Sequence, residues 1–286
     1  MISMDRTIRL GYKDFKVSME CFGSSAELVE TVDGRSFRNC YDKDTFARRK
    51  LDPEWHCVKS ADEAKTLCAD GWSAKVSDVL ERVRQVRRTM PTSKIATVRS
   101  VCGFAPVVPL VLSGCPESML DVRMTPRRTR TVDVVYDMTC SCKYKAEDLM
   151  EVGLEVLEYI MRLEASGYRV RLAMMLSFSD SMSADIVTVK IKDEARPFNL
   201  ERQCFPLFHP AMFRVIGFGW YERSPTSKYR LGHGKALSYA LSQEERQEVA
   251  KALFGPNAVM ISSADLLNAR NDGKDVKGVL ESAIGI

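Results

Sequence analysis

The chain has 286 residues, 45% hydrophobic and 28% charged, the make-up of a globular protein with one large or two modest domains. No apolar run reaches the ~18 residues that cross a bilayer, and MISMDRTIRLGYKDF lacks the apolar core of an export signal. Forty-two basic and 38 acidic residues leave a net charge of +4, too mild to require or to exclude a nucleic-acid partner.

Residues 1–95 read as a small α+β region. IRLGYKDFKVSMECFG alternates like one or two strands, and Asp33-Gly34 marks a turn. SADEAKTLCADGWSAKVSDVLERVRQVRRTM reads as helix, turn, helix. Ser60 and Glu63 form a capping box, and Gly71 stops the first helix. The second carries Val76, Val79, Leu80 and Val83 on one face and Arg82, Arg84, Arg87 and Arg88 mostly on the other. Residues 96–130 are broken by Pro106, Pro109, Pro116 and Pro126. They read as a loop-rich connection with one short apolar segment at 107–112 and a second basic cluster, Arg123, Arg127, Arg128 and Arg130.

From 131 the pattern is regular, and 131–286 reads as one α/β domain. Val132–Asp137 is a strand, and 146–166 is a helix with a broad apolar face ending at Gly167. Residues 168–176 are a strand, SFSDSMSA a polar turn, and 185–192 a half-exposed strand that pairs antiparallel with the one before it. A helix over about 207–216, a strand at 217–222, a glycine-rich loop LGHGKA, a helix at 242–254 capped by Ser242 and Glu245, a strand at 258–262 and a helix at 275–284 follow. Strand–helix–strand at this spacing gives parallel strands with a right-handed crossover. The expected fold is an open, mostly parallel sheet with an antiparallel edge strand and helices on both faces.

That order resembles a von Willebrand factor A-like domain. The resemblance extends to Asp137-Met138-Thr139-Cys140-Ser141 after the first strand, which is similar to the Asp-x-Ser-x-Ser loop of such domains. It implies that Asp137, Thr139 and Ser141 hold a divalent ion, and magnesium accepts such oxygen ligands. By place in the order, Thr226 or Ser227 and Asp265 are the candidates for the later ligands. ADEAKTLCADGW, SGCPESMLD, EVLEYIMRLEASGYRVRL and CFPLFHPAMFRVIGF also resemble a family of uncharacterised phage and prophage proteins, over residues 55–223. That resemblance implies a phage-derived product in the cytoplasm of a bacterial host, with association to the virion left open, and it implies no activity.

The same loop has a plainer reading, since Asp, Thr and Ser also end strands and cap helices. Cys140, Cys142, Cys204 and His209 are weighed as a soft metal set. The nine cysteines show no CxxC spacing, which speaks against a zinc ribbon. No carboxylate pair at a useful spacing suggests catalysis. The von Willebrand A resemblance implies a non-catalytic protein-interaction module, with no cofactor or a weakly bound Mg2+ and a protein partner such as a ring-forming ATPase. The alternative is a nucleic-acid-binding protein using Arg82, Arg84, Arg87, Arg88, Arg127, Arg128 and Arg130.

Overall fold

The computed structural model describes residues 1–36, 51–73, 77–82, 95–124, 130–196, 198–224 and 234–284. Its centre is a six-stranded sheet in the order β1-β2-β8-β7-β6-β9. β6 (Arg130–Asp137) and β7 (Tyr168–Ser179) lie parallel, joined by the 20-residue helix α5 (Ala146–Ala165). β8 (Ser183–Lys192) returns antiparallel to β7, as its spacing requires. The turn between them is tight because Asp180 accepts from the Met182 and Ser183 amides. β9 (Ala258–Ser262) pairs parallel on the other side of β6.

Two expectations about this sheet are corrected. The antiparallel strand is not at the edge: β2 (Lys13–Phe22) pairs parallel beyond it, and β1 (Ile2–Leu10) pairs antiparallel with β2. β8 is therefore not half-exposed. Nine of its ten residues are buried, Ser183, Asp185, Thr188 and Lys192 among them. Alternation of polar and apolar residues suggested one wet face, but here both faces are covered and the polar side chains are satisfied internally. The N-terminal hairpin thus belongs to the same sheet as residues 131–262.

Helices cover both faces. On one face α9 (Gln243–Phe254), with Ser242 and Glu245 forming the expected capping box, and the short α8 (Leu237–Ala240) pack on Val17, Met19, Val135, Met175 and Ile186. On the other lie α1 (Ser25–Asp33), α3 (Ala61–Asp70), α5, α6 (Leu200–Phe208), a π-helix (Met212–Gly217), α7 (Phe218–Arg223), α10 (Ser263–Asn271) and α11 (Val276–Ile284). α2 (Pro53–His56) docks beside the loop that follows β6.

The strand expected at 217–222 is helix. Its aromatic run suggested β structure, but the segment is buried all round, so no polar stripe reveals the helical period. Residues 95–124, within the connection expected to be loop-rich, form regular structure. β3 (Ile95–Ser100), β4 (Ala105–Pro106) and β5 (Met119–Met124) form a separate antiparallel sheet in the order β3-β5-β4, with helix α4 (Val108–Leu112) between β4 and β5. The prolines fit because Pro106 lies in a two-residue edge strand and Pro109 in the first turn of α4. The arginine-bearing helix is described only over 77–82, so Arg84, Arg87 and Arg88 fall outside the described residues, as do Arg127, Arg128, Thr226 and Ser227.

Candidate functional site

The chain leaves β6 at Asp137, where strand connectivity changes direction: β7, reached through α5, lies to one side and β9 to the other. In open α/β sheets ligands bind at the carboxyl ends of strands beside such a switch. Asp137 is fully buried. Its Oδ1 accepts from the Thr139 amide at 3.0 Å, and its Oδ2 accepts from the Ser177 hydroxyl at 2.7 Å. Burial pushes its carboxyl up to about 6, against those hydrogen bonds and the nearby positive charge of Arg246.

The Thr139 hydroxyl accepts from the Ser177 amide at 2.8 Å, and the Ser177 hydroxyl accepts from the Leu237 amide at 3.0 Å. One threonine, one serine and one aspartate therefore tie the ends of β6 and β7 to the start of α8. Ser141 lies farther along the loop, half-buried, with its hydroxyl accepting from the Lys143 amide at 3.4 Å.

Beside this knot is a cavity of about 230 Å³. Thr139, Ser141, Cys142 and Ser177 line its polar part, and Phe178, Phe213, Phe218 and Tyr239 its aromatic part, with Lys235 also on its wall. Burial raises the Cys140 thiol to about 12, so it is an unreactive neutral group there. Across the strand ends, Ser262 sits in register with Asp137, and its buried hydroxyl finds no partner among the described residues.

The structure thus brings Asp137 and Thr139 into direct contact and sets Thr139 and Ser141 on one cavity wall. Asp265 is engaged elsewhere: its carboxylate receives the Arg246 guanidinium at 2.5 Å. For magnesium the fit is partial. One carboxylate, two hydroxyls and the orphan Ser262 hydroxyl are oxygen donors of the right kind. Both Asp137 oxygens already accept hydrogen bonds, however, and Arg246 brings positive charge. Among the described residues, no three His, Cys, Asp or Glu side chains gather at metal-holding spacing.

The soft set is not assembled. Cys204 is buried on α6. His209 stacks on Phe205 at 4.7 Å and meets Trp72 edge-on at 4.6 Å, while its Nδ1 accepts from the Ala211 amide. Burial lowers the imidazole to about 4, so it is a neutral packing group. Of the basic clusters, Arg82 forms ion pairs with Glu151 and Glu158 on α5, and Arg130 is exposed.

Sequence reasoning missed Ser177, Lys235, Arg246 and Arg214. The first lies in what reads as a polar turn, and Lys235 in the glycine-rich loop. Arg214 is wholly buried in the π-helix. It donates to the Trp55 carbonyl at 2.5 Å and the Tyr144 carbonyl at 2.8 Å, and its guanidinium lies 4.3 Å from the Trp55 ring centroid. Arginine in so aromatic a segment was the available signal, because a buried guanidinium must be held by several acceptors.

No helix among the described residues is long and apolar enough to cross a membrane. A family model described as Domain of unknown function (DUF7192) matches residues 7–282, and the chain belongs to that family. No curated protein and no solved structure matches the chain.

Proposed function

We propose that this member of the DUF7192 family is a non-catalytic protein-interaction module with a von Willebrand A-like core, and that its contact point is the crevice above the ends of β6 and β7. The strand order β8-β7-β6-β9, with β8 reversed, supports the core assignment. The observation that carries the functional reading is the cavity wall itself: hydroxyls of Thr139, Ser141 and Ser177 and the cationic Lys235 beside a wall of four aromatic rings. Such a mixed concavity recognises a side chain that is part apolar and part anionic.

On this reading a partner presents a carboxylate to Lys235 and the Ser141 hydroxyl, since the Ser177 hydroxyl proton is already given to Asp137, and Mg2+ is a weak adjunct. Asp137 then serves chiefly as the support of Thr139, because both its oxygens are taken. A phage or prophage origin and a ring-forming ATPase as partner remain part of this proposal. The nucleic-acid alternative loses Arg82, which is paired to α5.

Thermal melting with Mg2+ tests the ion part of the reading. A ligand that binds the folded chain and not the unfolded one raises the melting temperature. We expect a rise at millimolar Mg2+, reduced in Ser141→Ala and Asp137→Ala. Equal rises in all three proteins, or none in any, would leave the loop as a structural turn.

A further inference from the structure

We propose that a notch at the amino end of β6 binds a small phosphate-bearing molecule. β6 pairs with β7 from Arg130 onward, but with β9 only from Asp133. Arg130, Thr131 and Val132 therefore overhang β9, and no described strand fills the step. Turn residues Pro256 and Asn257, Lys251 of α9 and Ser282 of α11 enclose it with them. The resulting cavity measures about 380 Å³, within the roughly 300–1,000 Å³ of small-molecule sites. The Asp133 amide donates to the Asn257 carbonyl at 3.4 Å. Thr131, two residues earlier, turns its amide to the same side and so toward the notch.

Charge selects the ligand. The cavity lining holds Arg130 and Lys251 and no acidic side chain, and neither cation forms an ion pair among the described residues. The nearest carboxylate along β6, Asp133, is already paired with Arg171. Arg169, on the wall of an adjoining cavity that shares Tyr168, is likewise without an ion pair among the described residues. One feature opposes an anion: α9 and α11 both end beside the notch, and each helix end carries about half a negative charge. The Gly255 amide already caps the Lys251 carbonyl. Two whole positive charges therefore leave the notch positive.

A phosphate monoester, with about −1.5 to −2 charges near pH 7, matches two cations where a carboxylate matches one. Arginine grips it through its planar fork and lysine as a point charge. The Asn257 amide and the Thr131 and Ser282 hydroxyls add neutral donors, and Tyr168, Pro256 and Val259 offer apolar surface to the rest of the molecule. The enclosed step suits one mononucleotide-sized ligand rather than a strand of nucleic acid, and Glu244 and Glu248, exposed on α9, repel a longer polyanion. The notch lies at the end of β6 opposite the crevice and shares no residue with it, so neither proposal depends on the other.

Amide spectra of the full chain test the proposal. Adenosine 5′-monophosphate should shift the Thr131, Lys251 and Asn257 amides. Inorganic phosphate should shift the same amides more weakly, and adenosine should shift none. Arg130→Gln and Lys251→Gln together should weaken binding of the monophosphate about tenfold or more. Their melting temperature should match wild type, because no ion pair is lost. Three results would overturn the proposal: adenosine acting as strongly as its monophosphate, neither phosphate probe moving these amides, or the double variant binding like wild type. So would a single-stranded oligothymidylate that moves the same amides and binds far more tightly than the monophosphate, which would assign these cations to nucleic acid.

Discussion

Asp137 and His209 give the fold two opposite acid responses. The Asp137 carboxyl is raised to about 6 in the fold by burial, above its ordinary value near 4. Its contribution to stability is fully present below about pH 4 and is lost as the pH rises through 6. The His209 imidazole is lowered by burial to about 4, below its ordinary value near 6.5. Its contribution is present above about 6.5 and lost as the pH falls toward 4. The two partly cancel in wild type. Asp137→Asn removes only the first, so acidification from about pH 7.5 to 5 should lower its melting temperature more than that of wild type. An equal drop in both proteins would mean that Asp137 ionises normally. Arg214 belongs to the same scale. Arg214→Ala strands the Trp55 and Tyr144 carbonyls and empties the space against the Trp55 ring. A loss of about 3 kcal/mol or more in urea unfolding is expected. Arg214→Lys should recover part of it, since an ammonium lacks the planar fork.

At the scale of elements, α5 crosses α6 at a glycine. A Cβ built on Gly153 would meet the Cβ of Phe208 far inside contact distance and the Phe208 Cα at 3.0 Å. Gly153→Ala should therefore destabilise the chain by about 1–3 kcal/mol, although alanine is the better helix former. Phe208→Ala should not rescue it, because the clash is with Cβ and backbone; a chemical melt of the double variant checks this. The elements legible in the sequence were those with one wet face or a clear stop. α5 shows its apolar stripe, Gly71 and Ser242 punctuate their helices, and the β7–β8 hairpin announces its turn. Three kinds of element were not legible. α7 is buried on all sides, so its period is hidden. α1 is nine residues long and follows two strands, so local pattern gives it little weight. From Thr97 to Ser100 and from Met119 to Val122, β3 and β5 fully bury no side chain, so hydrophobic alternation has little reason to mark them. The crevice was half legible for a related reason. Asp137, Thr139 and Ser141 are neighbours in sequence, whereas Ser177, Lys235 and Arg246 reach them only through the pairing of β6 with β7 and the docking of α8 and α9.

For the whole molecule, the sheet sets what can be cut away. β2 pairs along β8 from Lys16–Ser183 to Phe22–Val189, and Phe15, Val17 and Met19 complete the core under α9. A fragment of residues 131–286 would expose the edge of β8 and the apolar face of α1's partners. We expect it to aggregate or to lack a cooperative melt, while the full chain unfolds in one transition. A soluble, cooperatively folded 131–286 fragment would mean that the N-terminal hairpin is an accessory. The central claim, that the crevice above β6 and β7 is a binding site with weak ion affinity of its own, has a direct probe in paramagnetic broadening by Mn2+. In amide spectra of the full chain, the signals of Thr139, Ser141, Cys142 and Ser177 should fade first, and only at millimolar Mn2+. Broadening that begins at acidic surface positions such as Glu147 and Asp148 on α5 and spares those four amides would contradict it.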